Sequence, residues 1–290
     1  MKIGIIGAGR VGTAIAKYIT LKATQYSTKH SIQGFYSLHY SNALQSADFC
    51  NTKAYKSLDE LVRSSDTLFV AVQDSEISNV WECIDKDLIK NKFIGHFSGS
   101  LSSDVFSGAK AYGVHCGSIH PMYAFSDRFN SHKGLDSVVL TAEGCDEFLK
   151  AVVPVFEECG NTVCVIDKQY KALYHTAASM ASNHLIGLLS AVVDMLVQCG
   201  FTEDNAYSLL KPLMTDNLEN AFKNGAEYAL TGPIERGDIT TVKKHLSAVD
   251  NEQAVLYKQL AKKVVKVAQR KNNDAQLAEK YEYIEKELLK

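Results

Sequence analysis

His175, Ser179 and Asn183 stand at successive four-residue intervals in the middle of the chain. On an α-helix that spacing draws an imidazole, a hydroxyl and an amide into one slanted polar stripe. A hydride arriving at a ketone carbon leaves an alkoxide that needs a proton or strong hydrogen bonds, and an imidazole titrating near neutrality can provide either. A helix histidine that merely satisfies a backbone carbonyl has the same signature. His120-Pro121 is a second candidate for proton transfer, with a positional role equally open because proline fixes the backbone. Lys171, one turn before His175, is a rival acid whose simpler reading is a solvated surface charge.

A donor for that hydride is implied near the N-terminus by Gly7-Ala8-Gly9-Arg10-Val11-Gly12. An apolar strand precedes this loop and a helical segment follows it, the context in which G-x-G-x-x-G carries weight. The glycines allow a tight turn, close approach of backbone to a pyrophosphate and close helix–sheet packing, while the helix N-terminus offers unpaired N–H donors. A site built for NAD places an acid at the end of the second strand. Residues 33–41 hold none, and Ser37, His39 and Ser41 offer donors instead, so NADP(H) is preferred over NAD. Arg10 stands in for the arginine such a loop often carries; ordinary loop roles for His39 and Ser41 stay open. Gln73 after the third strand, with Ser98 and Gly99 after the fourth, belongs to the same rim. Ser98 and Gly99 are expected near the nicotinamide.

The elements that position these residues follow the alternation of short apolar strands and helices that a parallel sheet requires. Strands are expected over 2–6, 31–36, 67–72, 93–96, 112–115, 137–140 and 162–165, with helices over 12–21, 58–63 and 145–159. After about residue 167 strands vanish and helical periodicity runs to the C-terminus. The fold class is therefore α/β: a Rossmann-type doubly wound parallel sheet over 1–168, then an all-α domain over 169–290 for substrate binding and dimerisation. In the second domain a helix over 169–198 closes at Gly200, another opens at Thr202 and a third at Asp238. Pro212 is expected to kink or interrupt the second.

The 290 residues carry 31 Lys and Arg against 33 Asp and Glu, a formal charge of −2, so no overall field draws the chain to nucleic acid or an anionic membrane. The start of the chain lacks the pattern of a signal peptide, and a cytoplasmic location is expected. The apolar stretch 185–197 is broken by Ser190 and Asp194 and reads as a buried core helix too short to span a bilayer. Seven cysteines without a C-x-x-C pair or a histidine at zinc spacing read as reduced thiols, with no metal expected and no activating base evident beside Cys116. Long apolar helices call for a covering surface, and a homodimer is expected.

Four segments together resemble a family of Rossmann-like NAD(P)-binding proteins with a helical C-terminal domain of formerly unknown function, relatives of pyrroline-5-carboxylate and ketopantoate reductases. They are the glycine loop, His96-Phe97-Ser98-Gly99, Gly117-Ser118-Ile119-His120-Pro121, and Tyr174-His175 through Asn183 with Thr231-Gly232-Pro233-Ile234-Glu235-Arg236-Gly237-Asp238. The resemblance implies NADPH-dependent reduction of a small 2-oxo acid, ketopantoate (2-dehydropantoate) to pantoate in pantothenate biosynthesis, with imine reduction of the pyrroline-5-carboxylate type as the alternative. It also implies that His175 takes the place of a catalytic lysine, Ser179 that of an asparagine, and Thr231 and Arg236 hold the substrate carboxylate. Gln73 replaces the family's proline and Leu38 a basic residue after strand two. A non-catalytic, nucleotide-sensing protein on the same fold is the reading from a different class.

Overall fold

The computed structural model describes residues 1–290, and they divide into two compact units, Met1–His184 and Leu185–Lys290. In the first, eight strands form one sheet: β1 (Lys2–Ile6), β2 (Ser31–Tyr36), β3 (Lys53–Ala54), β4 (Thr67–Val70), β5 (Phe93–His96), β6 (His115–Pro121), β7 (Leu140–Gly144) and β8 (Val163–Val165). Their spatial order is 3-2-1-4-5-6-7-8, and every pairing is parallel except β6 with β7. The order reverses between β1 and β4, which opens a crevice at the carboxyl ends of those strands, the place where doubly wound sheets take ligands.

Helices α1 (Arg10–Tyr26), α2 (Tyr40–Cys50), α3 (Leu58–Ser64), α4 (Asp74–Cys83) and α5 (Asp146–Glu157) belong to the sheet, and α6 (Lys171–Ser179) with a π-helical turn (Met180–His184) ends the unit. Both faces of the strands are buried. Ile3, Ile5, Phe35, Phe69, Phe148 and Phe156 fill one side, and Ile6, Leu68, Val70, Trp81, Ile94 and Phe106 the other. The continuous apolar runs of β1, β4 and β5 follow from this double cover. Gly95 and Gly117 leave room for the Phe148 ring: a Cβ on Gly117 would lie 2.1 Å from it.

Three expectations change. The strands expected at 112–115 and 137–140 begin at His115 and Leu140, because the residues before them form 3-10 turns, Ala109–Tyr112 and Ser131–Ser137. Gly108 and Gly113, both at positive φ (72° and 68°), bracket the first of these turns and keep that stretch out of the extended region. The strand expected to reach residue 72 stops at Val70, where the chain turns into α4.

The second unit is helical: α7 (Leu185–Gln198), α8 (Glu203–Asn224), α9 (Ala226–Ala229), α10 (Ile239–Ala248), α11 (Asn251–Lys271) and α12 (Ala275–Leu289). Thr202 and Asp238 cap α8 and α10 by accepting from Asn205 N–H and Thr241 N–H, as their side chains suit them to do. Val242, Ala261, Val265, Ala268, Tyr281, Ile284 and Leu288 form its main core. Helix α8 runs unbroken through Pro212, so the expected interruption does not occur; twenty-two residues of helix carry the loss of one backbone donor. Nor is α7 a buried core helix. Within it only Val193 is buried, against Ala206 and Leu210 of α8. The 31 residues Lys168–Gln198 form a helix long and apolar enough to cross a membrane by length and composition, where counting only the uninterrupted apolar stretch had made it too short.

Candidate active site

The glycine loop has the shape its spacing called for. Gly7 sits at φ 105°, and a Cβ there would lie 2.4 Å from the Ala71 carbonyl oxygen; a Cβ on Gly12 would lie 2.4 Å from that of Gly7. Both glycines are demanded by close backbone approach. Gly9 is different: nothing lies within 4 Å of where its Cβ would be, and it stands as the N-cap of α1 with no side chain capping the helix. Open space before a bare helix N-terminus, carrying the positive end of the dipole, fits the pyrophosphate of a dinucleotide. Arg10 and Val11 open α1, and the exposed Arg10 guanidinium reaches the Phe125 carbonyl only weakly, at 3.4 Å.

On the adjoining rim, Asp74 at the start of α4 accepts from the Ser98 hydroxyl at 2.7 Å and the Ser100 hydroxyl at 2.9 Å, tying the ends of β4 and β5 together. Gln73 is the exposed N-cap of α4. Ser37 follows β2, and the exposed His39 is the N-cap of α2 without a capping bond from its side chain. Leu38 is 87% exposed, and the Lys56 ammonium lies 5.5 Å over the ring of Tyr40, the first residue of α2 after this loop.

Behind Ser98 the side chains converge. A Cβ on Gly99 would lie 2.5 Å from His175 Nδ1 and 2.8 Å from His120 Nε2, so the absence of a side chain is what admits both imidazoles. Their ring centroids are 5.8 Å apart, edge to face. His120 Nδ1 is 2.8 Å from the Tyr174 hydroxyl. His175 Nδ1 is buried with no partner in the chain, a state that costs about 1–3 kcal/mol unless a ligand or water supplies the bond.

The residue that sequence reasoning misplaced is Lys171. It is 2% exposed, the reverse of a solvated surface charge. Its Nζ donates to the Ser98 carbonyl and to the Ser118 hydroxyl, both at 2.9 Å. Ser118 in turn donates to Glu143 at 3.2 Å, and Glu143 also accepts from the Ser103 N–H and hydroxyl at 2.9 and 2.6 Å. A buried cation and a buried carboxylate are thus joined through one hydroxyl on β6. The signal was present: carrying the His175 stripe one turn back lands on Lys171.

Burial lowers the Lys171 pKa to about 8, with Glu143 and Asp74 pulling it upward. Burial, reinforced by the Lys171 charge and by His175, lowers His120 to about 4. His96 is also brought to about 4 by burial: its Nδ1 accepts from Ser98 N–H and its Nε2 lies 3.2 Å from the Ser102 carbonyl, which fixes the neutral tautomer with the proton on Nε2. Between pH 6.5 and 4 the unfolded chain binds more protons at these two histidines than the folded chain does. Stability is therefore expected to fall as pH drops through that window, by on the order of 3 kcal/mol for each fully shifted ring. Denaturant midpoints measured from pH 7 to pH 4 check this; a flat profile contradicts it.

Ser179 and Asn183 share a cleft of about 600 Å³ with His175, His120, Arg10 and Tyr123. The π-helical turn after Ser179 re-aims the stripe that straight helical spacing had drawn, and leaves Asn183 exposed. Cys116 is partly buried, and burial pushes its thiol up to about 11, which removes it as a nucleophile at neutral pH.

Thr231 and Arg236 lie in the second unit. Gly232 at φ 107° turns the segment, Arg236 N–H and Asp238 N–H close it onto the Gly232 and Pro233 carbonyls, and the Tyr281 hydroxyl pins the Glu235 carbonyl at 2.6 Å. Both Thr231 and Arg236 are exposed.

Residues 2–94 match the family described as NADP oxidoreductase, coenzyme F420-dependent. The first unit thus carries a Rossmann-type NADP(H)-binding region, in agreement with its bare helix N-terminus and acid-free second-strand loop. Residues 138–264 match a domain of unknown function, DUF2520. No curated protein matches the sequence. Among solved structures, a protein of Thermotoga maritima is 25% identical with a TM-score of 0.72, over 92% of this chain and 98% of its own. Pyrroline carboxylate reductase of Plasmodium falciparum is 15% identical with a TM-score of 0.59, over 98% of both chains. An imine reductase of Aspergillus terreus is 14% identical with a TM-score of 0.64, over 95% of this chain and 97% of its own. At these last two identities the likeness is one of fold.

Proposed function

We propose that this chain is an NADPH-dependent reductase of a small carboxylate-bearing substrate, with reduction of a C=N bond of the pyrroline-5-carboxylate type as its reaction. The observation that carries the reading is the convergence of His120, His175 and, through the Ser98 carbonyl, Lys171 on Gly99 at the rim of the sheet. When bound, NADPH supplies the hydride. Gly7, Gly9, Gly12 and the first N–H groups of α1 hold the pyrophosphate, and Ser98 and Gly99 border the nicotinamide. His175 presents its ring to the substrate nitrogen or oxygen, Ser179 and Asn183 orient the substrate, and His120 is fixed by Tyr174. His120, held neutral, offers a hydrogen bond without adding a cation that would repel a protonated imine. Arg236 forms no ion pair and, with Thr231, is the candidate ligand for a carboxylate. The names of the structural relatives, pyrroline carboxylate and imine reductases, favour C=N over C=O.

Lys171 favours a second reading, reduction of a 2-oxo acid such as ketopantoate, because an ammonium with a pKa near 8 can support the proton demand of an alkoxide. NADPH oxidation measured with pyrroline-5-carboxylate and with ketopantoate separates the two. Turnover with the imine alone is expected. Turnover with ketopantoate alone transfers the site to the second reading, and NADPH binding without turnover on any imine or 2-oxo acid makes the chain a nucleotide sensor.

Preference for NADPH over NADH rests on the missing acid and on Lys56. Replacing Lys56 with alanine is expected to lower the ratio of kcat/KM for NADPH over NADH by about tenfold, the worth of one hydrogen bond to a charged group. An unchanged ratio removes Lys56 from the 2′-phosphate site. A homodimer is proposed from the large apolar side chains that the second unit leaves exposed, Ile186, Leu213, Phe222 and Tyr228 at 64–88%, which a partner subunit would cover. A solution mass of twice 31.9 kDa is expected, and a monomeric mass refutes it. Seven unpaired cysteines fit a reducing, cytoplasmic setting.

A further inference from the structure

The end of the sheet opposite the glycine loop, where the parallel strands begin, carries a group of side chains that the reductase reading leaves unused. His115 opens β6, Cys145 is the N-cap of α5, and Glu147 lies in the first turn of that helix. One ligand atom from each lies within 4.8 Å of the other two, although His115 and Cys145 are thirty positions apart in the sequence.

The fold holds these groups in place. The antiparallel register pairs Gly117 with Gly144, and the Cys145 N–H donates to the Cys116 carbonyl at 3.1 Å, which fixes the start of α5 against β6. Gly144 at φ 154° permits that approach, since a Cβ there would lie 2.6 Å from the Cys116 oxygen. The His115 ring packs on Phe93 with centroids 5.2 Å apart. Its Nδ1 stands 3.9 Å from Glu147 Oε2, too far for a hydrogen bond and near the separation of two ligands on one metal. The His115 and Glu147 side chains are 33% and 62% exposed, so an ion can enter and water can take a further position.

We propose that His115, Cys145 and Glu147 form a binding site for a divalent transition metal of the zinc class. Imidazole, thiolate and carboxylate are the donor set that zinc prefers, at about 2.0–2.3 Å from the metal, and drawing donors now within 4.8 Å onto one ion needs only side-chain rotation. On binding, the Cys145 thiol releases one proton to solvent as the metal–sulfur bond forms, and no change of oxidation state is involved. The ion clamps the start of α5 to β6. This is a structural role separate from hydride transfer.

The test is titration of the purified full chain, under reducing conditions, with Co²⁺ and then Zn²⁺. Expected is one equivalent of Co²⁺ with a thiolate-to-cobalt charge-transfer band that Zn²⁺ displaces, and a Tm that rises with Zn²⁺. Cys145→Ser is expected to abolish the band and the rise, while Cys164→Ser, at an exposed thiol outside the cluster, keeps both. Glu147→Gln, at an exposed position that cannot unfold the chain, is expected to weaken binding by more than the roughly 10- to 100-fold that outer-sphere partners cost. Absence of the band in the wild type, or its persistence in Cys145→Ser, overturns the proposal whatever the reductase assays show.

Discussion

Gly99→Ala is expected to lower kcat at least about 100-fold while the fold stays intact. The added methyl would stand 2.5 Å from His175 Nδ1 and 2.8 Å from His120 Nε2, so the His175 ring must retreat by nearly an ångström and the His120 ring by about half that or a little more. Displacement on that scale is enough to cost about two orders of magnitude in an aligned reaction. Gly99 does not lie at positive φ, so alanine strains no backbone there, and Tm should change by a few degrees at most. The comparison is steady-state kinetics against thermal unfolding of the same preparation. Full activity in a folded Gly99→Ala protein would mean that the two histidines do not take part in turnover.

Lys171→Met has the second large effect, and it acts on two quantities. Methionine matches the length of lysine, but the Ser98 carbonyl and the Ser118 hydroxyl lose their donor and Glu143 loses the buried cation joined to it through Ser118. Breaking a buried charge pair costs about 3–5 kcal/mol. The lower end is expected, because Ser103 and Ser118 still donate to Glu143. On the proposed reading Lys171, which does not line the cleft, would position the rim at Ser98 through the carbonyl it holds, so kcat should fall by about 100-fold with NADPH affinity retained. A merely structural lysine would leave the pH profile alone. With its pKa lowered from 10.5 to about 8, Lys171 loses its charge as pH rises through about 8, and wild-type turnover should decline there. Among its neighbours Glu143 and Asp74 favour its charge, while His96 and His120 are neutral above about pH 4. The variant's residual activity should show no such limb. For stability the sign is opposite: between pH 8 and 10.5 the unfolded chain binds more protons at this lysine, so its contribution to stability rises with pH across that window.

Local chemistry was legible in the sequence and long-range placement was not. The glycine loop could be read because turn, helix start and strand lie within a dozen residues, and Gly7 and Gly12 each answer to a backbone neighbour while Gly9 leaves open space at the helix start. The caps Thr202 and Asp238 were legible for the same reason. Helices α2 and α4 were missed: both are short and polar, and α4 opens at Asp74 and Ser75, residues that also make turns. Lys171 was misread because a lysine in a helical stretch is ordinarily solvated. Its burial depends on Glu143 and Ser118, brought under it by the antiparallel pairing of β6 and β7. The strand shifts at His115 and Leu140 came from 3-10 turns before each strand rather than from hydrophobic period, the first of them bracketed by Gly108 and Gly113 at positive φ. Helix α7 kept its helical character while losing its expected burial, since composition records that a face is apolar and not what covers it. The grouping of His115 with Cys145 could not be read from spacing at all, because sheet register creates it.

Hydride transfer is tested most directly with NADPH carrying deuterium at the transferable position of the nicotinamide, incubated with pyrroline-5-carboxylate and the full-length protein, with the product analysed by mass spectrometry. One deuterium on the carbon that had been doubly bonded to nitrogen is the expected result, with its incorporation at least about 100-fold slower in Gly99→Ala. Tight NADPH binding with no label in the product of any imine or 2-oxo acid would contradict a reductase site at Gly99.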